Sequence, residues 1–170
     1  MTQTRMERHE FSGSQGAARP NRPQPRPINW TLPGFASTMR VSTSFGDLPL
    51  QALRVPDPLR TASGDFARVA WIDHIRLDES FLEANPDAQP VLIPAGSLGP
   101  DRPRVDLLVS PHQKLTLTHA GMAPEIRLAR DFLDRPGVSR KPMLSVSYTL
   151  FHCGEPVVVM VEGLAARVAP

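Results

Sequence analysis

The sequence predicts a mainly β domain, built as a compact sandwich or a closed, twisted sheet. From residue 34 onward, 14 prolines in 137 residues cut the chain into pieces too short for long helices, because an interior proline removes a helical hydrogen bond and clashes with the preceding turn. Between the cuts lie runs that are β-branched and apolar, or that alternate apolar and polar with period 2. So many short strands must close on themselves or cover their edges.

In chain order, residues 12–27 come first. They contain no β-branched or aromatic residue and bury too little area to offset the entropy of ordering, so disorder is expected there. Their prolines at 20, 23, 25 and 27 favour extended polyproline geometry, suited to a spacer or a docking ligand. The expected organisation is a tail over residues 1–32 and a domain over 33–168, with Trp30 and Leu32 the first side chains to reach the fold. Leu50 and Leu53, before Pro56, suggest a helical turn. Ala67–Ile72 reads as a strand, and Ser80 as the cap of a short helix through Leu82 that stops at Asn85-Pro86. Val91–Ile93 and Val105–Val109 read as strands bounded by Gly or Pro. Leu115–Thr118 and Val146–Leu150 alternate and are expected to be half-buried. The spacing predicts one helix of about three turns: Pro124 in its first turn, Glu125 complementing the dipole, Ile126, Ala129 and Leu133 on one stripe, and Pro136-Gly137 as the stop. Val157–Val161 is apolar on both faces, which predicts a central strand.

Charge and composition narrow the function classes. Residues 1–29 hold five Arg against Glu7 and Glu10, and the remaining 14 basic and 15 acidic residues leave the rest at −1. The positive excess sits in the lead segment, so no basic face for nucleic acid is expected on the domain. The longest apolar run, Val157–Val161, is far short of the roughly 20 residues that span a bilayer. No apolar signal core follows Arg5 and Arg8, so a cytoplasmic location is expected. Cys153 is the only cysteine, which rules out a disulfide scaffold and a Cys-rich zinc site.

The standard motifs of phosphate loops, zinc proteases and serine hydrolases are missing. His9, His74, His112, His119 and His152 are scattered, and each reads more readily as a surface or packed histidine than as a ligand. Cys153 follows His152 directly, but neighbours on a strand point to opposite faces. That makes His152 a poor base for a thiol nucleophile. No metal and no cofactor are expected.

The most specific signal is an ordered set of phrases. Gly34-Phe35 to Thr43, then Gly46 through Pro49-Leu50-Gln51-Ala52-Leu53-Arg54-Val55-Pro56-Asp57 to Thr61, resembles the opening of bacterial Hint domains, the Hedgehog/intein family. Trp71-Ile72, Pro90–Ile93 with Ala95–Gly99, Asp106–Pro111 and Glu162-Gly163-Leu164 follow in that family's order, over about 130 residues. The resemblance implies a β horseshoe of short strands with one or two short helices. It also implies self-processing, in which a nucleophile at the domain's first residue attacks the preceding carbonyl and a histidine, often in Ser-Pro-Gln-His, protonates the scissile amide.

The chain departs from the family at both places. Gly34 stands where the nucleophilic cysteine would, and it has no side-chain atom to attack the carbonyl of Pro33. In Ser110-Pro111-His112-Gln113 the last two residues are reversed, so Gln113 takes the histidine's position. His112 would point away from the site unless a bulge or turn re-aims it. Glutamine is neither acid nor base near neutral pH. Leu150 and Pro156 replace further histidines of this branch, and the chain ends Arg167-Val168-Ala169-Pro170 without His-Asn, so splicing is not expected. The resulting expectation is a degenerate, non-catalytic Hint domain, a binding or structural module for a protein partner, with degenerate site positions Gly34, Ser110, His112 and Gln113. The alternative is self-cleavage through a displaced nucleophile, Ser37 or Thr38.

Overall fold

A computed structural model describes residues 29–170; the expected disorder of residues 12–27 lies outside the described residues. The strands are β1 (Phe35–Ala36), β2 (Arg40–Thr43), β3 (Gly46–Pro49), β4 (Pro58–Arg60), β5 (Phe66–Arg68), β6 (Trp71–Leu77), β7 (Val91–Ile93), β8 (Leu107–Val109), β9 (Lys114–Leu117), β10 (Glu125–Leu128), β11 (Ser139–Arg140), β12 (Val146–His152), β13 (Val157–Val161) and β14 (Leu164–Val168). One sheet runs β11-β7-β8-β1-β12-β6. The other runs β10-β9-β14-β13-β2-β4-β5, with β3 on β2. The mainly β class is as the sequence predicts.

The chain changes sheets in mid-run between residues 66 and 77, which corrects the single strand expected over Ala67–Ile72. β5 pairs with β4 in one sheet and β6 with β12 in the other. At the crossing, Val69 N–H donates to the Asp57 carbonyl (2.9 Å) and Ala70 N–H to the His152 carbonyl (2.9 Å), so no backbone donor is stranded there. β6 then continues through Asp73, His74 and Arg76, polar residues that hide it from a search for apolar periodicity.

The three-turn helix expected over Pro124–Leu133 does not form. Glu125–Leu128 is strand β10, paired residue for residue with β9, and Ala129–Phe132 is a single 3-10 turn. Ile126 of the supposed helical stripe is 44% exposed, whereas Ala129 and Phe132 are fully buried. Their spacing of three suits a 3-10 turn, and tertiary burial of the Phe132 ring, about 1.5–3 kcal/mol, outweighs helix propensity. The short α-helix, Glu79–Ala84, is capped by Asp78, whose Oδ1 accepts from Phe81 N–H at 2.9 Å; Ser80 lies inside it. The turn at Leu50–Ala52 forms as expected, with Leu50 and Leu53 both buried.

Two strands expected to be half-buried are interior. Leu115, Thr116 and Leu117 of β9 are all buried between β10 and β14. In β12, between β1 and β6, only Ser147 is exposed. β13 is central, flanked by β14 and β2. The main core gathers Phe35, Leu59, Ile93, Leu107 and Val159 from both sheets and Phe132 from the 3-10 turn. A second core forms around Tyr148, where Trp30 stacks at 5.5 Å between ring centroids and Tyr148 Oη donates to the Ala88 carbonyl at 2.8 Å. Trp30 thus fastens the lead-in segment to the domain, while Leu32 stays 40% exposed. Among the described residues no helix is long and apolar enough to cross a membrane.

Candidate functional site

Gly34 sits at the head of β1, which is sandwiched between β8 and β12, so its neighbours are fixed by two ladders. Its carbonyl accepts from Ser110 N–H at 2.9 Å. Its N–H, the amide hydrogen of the Pro33–Gly34 bond, donates to Gln113 Oε1 at 3.0 Å. Gln113 is buried, and its Nε2 donates to the Lys114 and Arg167 carbonyls, each at 3.0 Å. These partners settle which end of the amide faces Gly34: an N–H needs an acceptor, and both amide hydrogens are already engaged by carbonyls. The group aimed at the Pro33–Gly34 amide is therefore an acceptor.

Ser110, completely buried, ties down the segment leading into Gly34. Its hydroxyl accepts from Trp30 Nε1–H at 3.0 Å and donates to the Leu32 carbonyl at 2.6 Å. After it the chain turns: Gln113 N–H donates to the Ser110 carbonyl at 3.0 Å, with Pro111 and His112 at the corner. His112 is therefore not on a strand. The turn re-aims it, and it lines the same cleft as Gly34, against the strand-based expectation that it points away. This cleft, of about 290 Å³, also receives Trp71, Leu150, His152 and Arg167. Leu150 fills the space where a side chain on Gly34 would lie, its Cδ1 being 3.2 Å from an ideal Cβ there. Pro156 is exposed beyond β12 and is not among the cleft residues.

Burial first, and then the cations of Arg130 and Arg140, hold His112 below its ordinary value, with Asp87 opposing. A histidine depressed in the folded state contributes stability that is complete above its unfolded value, near 6.5, and that is lost as the pH falls from there through the folded value. The melting temperature of the native chain is expected to fall between about pH 7 and pH 5, and His112→Gln to flatten that decline. Thermal melts of the two proteins across this window check it.

A second polar chain lies beside the cleft. Ser37 Oγ and Thr149 Oγ1 are 2.8 Å apart, and Thr149 Oγ1 lies 2.9 Å from His74 Nδ1. Ser37 Oγ also reaches the Ser147 carbonyl at 3.1 Å. Thr38 is exposed. Burial, and then Glu155, push the Cys153 thiol up, which disfavours the thiolate a nucleophile needs. His152 stacks on Trp71 at 5.3 Å, and its Nδ1 accepts from Gly154 N–H at 3.0 Å. Among the described residues no three His, Cys, Asp or Glu side chains gather as a metal site. Thr149, His74, Lys114 and Arg167 carried no sequence signal, because each gains its meaning from a partner on another strand.

The family profile described as the Hint domain matches residues 33–167. The chain belongs to the Hint domain family. Among solved structures, the Hint domain resembles the Msm DnaB1 intein splicing domain bound with zinc, at a TM-score of 0.50 and 14% identity, covering 79% of this chain and 98% of that one. The MchDnaB-1 intein is similar at a TM-score of 0.49 and 12% identity, covering 79% and 98%. No curated protein matches the chain. The family match over residues 33–167 makes this strand order that of a Hint domain, in which Gly34 and Gln113 lie side by side.

Proposed function

We propose that this Hint domain is a non-catalytic binding or structural module that has lost self-processing, with a protein as its partner. The observation that carries this reading is the Gly34 N–H to Gln113 Oε1 bond. Self-processing of the family type needs a nucleophile at position 34 and a proton donor for the departing amine of residue 34. Gly34 supplies no nucleophile, and Gln113 presents a lone pair where the reaction needs a proton. Loss of a positioned acid alone costs about 10² to 10⁴ in rate, and loss of the nucleophile removes the acyl shift altogether.

A second reading, self-cleavage at Ala36–Ser37, is favoured by one observation. Ser37 is linked through Thr149 to His74, and Met39 N–H donates to the Ala36 carbonyl at 2.9 Å. Attack of Ser37 Oγ on that carbonyl would form an ester and free the Ser37 amine, and hydrolysis of the ester by water would then release the segment ending at Ala36 and regenerate the Ser37 hydroxyl. Weighing against it, Ser37 is only 9% exposed and its hydroxyl is held between two partners. With a reporter protein fused to the N-terminus, the first reading predicts a single uncleaved species after days at neutral pH. Release of the reporter at Ala36–Ser37 would select the second.

A further inference from the structure

β9 and β14 each carry a cation, Lys114 and Arg167, into the cleft. Ala166 pairs with Leu115, so the antiparallel direction brings Arg167 and Lys114 side by side just beyond that pair, and both line the cleft beside Gly34. Opposed residues share one face of the sheet, and like charges there repel. The two backbones cannot splay to relieve this, because Gln113 Nε2 is bonded to the carbonyls of both residues. Among the described residues neither Lys114 nor Arg167 forms an ion pair, and no Asp or Glu side chain lines the cleft, although Ala169 and Pro170 at the end of the chain do line it. Arg130 adds positive potential around His112, whereas Arg140 is paired with Asp87 at 3.6 Å and the two largely offset each other there. Trp71, 44% exposed and stacked on His152, supplies a flat aromatic wall.

We propose that the cleft beside Gly34 binds a peptide carboxylate between Lys114 and Arg167, with the adjoining peptide atoms against the Trp71–His152 stack. A carboxylate placed there converts mutual repulsion into two attractions, and the Arg167 guanidinium can grip it through parallel N–H donors. The cleft is at the small end of ligand sites, so it takes a short stretch of chain. The proposal rests on the binding-module reading and gives it a ligand class. The carboxylate can come from an acidic side chain or from a C-terminus, and the two sources are separable.

The test is calorimetric titration of the full chain with four probes: N-acetyl-tetraglutamate amide, N-acetyl-tetraalanine with a free C-terminus, N-acetyl-tetraalanine amide, and inorganic phosphate. At least one carboxylate peptide is expected to bind, with the neutral amide silent and phosphate weaker. The responding peptide names the source. Lys114→Gln and Arg167→Gln should each weaken that binding about tenfold, consistent with loss of one charge-assisted contact. Each should also raise the melting temperature of the free protein by about 1–3 °C, because the repulsion is gone. Silence of both carboxylate peptides, equal binding of the neutral one, tighter binding of phosphate, or a lowered melting temperature in both variants overturns the site. Intact mass is recorded on the same samples. Failure to bind with the mass unchanged sinks the carboxylate site alone, while a cleavage fragment sinks the non-catalytic reading whatever the titration shows.

Discussion

Gly34→Cys is expected to lower stability by about 2–4 kcal/mol and to leave the chain uncleaved, even though it restores the family's nucleophile. Gly34 has φ +133°, a region that residues with a Cβ seldom enter, at a cost of about 1–3 kcal/mol. A Cβ there would lie 3.1 Å from the Thr149 carbonyl oxygen and 3.2 Å from Leu150 Cδ1. The first neighbour is backbone, fixed by the β1–β12 and β12–β6 ladders, so relief must come from Leu150 or from β1 itself. For a domain of this size the melting temperature should drop by roughly 5–15 °C. Cleavage should still fail, because Gln113 offers the Gly34 amide an acceptor and keeps both amide hydrogens on other carbonyls. Thermal melts with intact mass on the same sample check both halves.

Gln113→Leu should cost about 2–4 kcal/mol with almost no change in packed volume. The side chain makes three hydrogen bonds, joining the N–H of Gly34 to the carbonyls of Lys114 and Arg167. Leucine leaves the buried Gly34 N–H without an acceptor, and an orphaned buried donor costs about 1–3 kcal/mol by itself. Gln113→Glu separates hydrogen bonding from shape. Ionised glutamate still accepts from Gly34 but cannot donate to either carbonyl, so it too should destabilise. Urea midpoints falling in both variants are the expected result. A leucine variant as stable as the native chain would show that the network contributes little.

The sequence and the structure part company in a physically consistent way. The apolar runs at Val91, Leu107 and Val157 were legible as strands, because short β-branched segments bounded by Gly or Pro are too brief for helices and suit a largely buried strand. The helix expected over Pro124–Leu133 was not legible as a strand and a 3-10 turn. Pairing of β10 with β9 is a non-local choice, and it overrode a good local capping pattern. The Gly34–Gln113 juxtaposition was legible only through family resemblance, and the re-aimed His112 only as a conditional possibility, since a Pro-His corner and a strand read alike in one dimension. The Ser37–Thr149–His74 chain and the Lys114–Arg167 pair were invisible, for both depend on the register of strands far apart in sequence.

The proposed loss of self-processing predicts an inert Pro33–Gly34 amide. It is tested most directly by intact mass of the folded chain carrying an N-terminal fusion, after days with a thiol and, separately, with hydroxylamine, which cleaves any ester or thioester formed by an acyl shift. One mass is expected under every condition, that of the whole fusion. A fragment whose new N-terminus lies between Pro33 and Thr43 would contradict it.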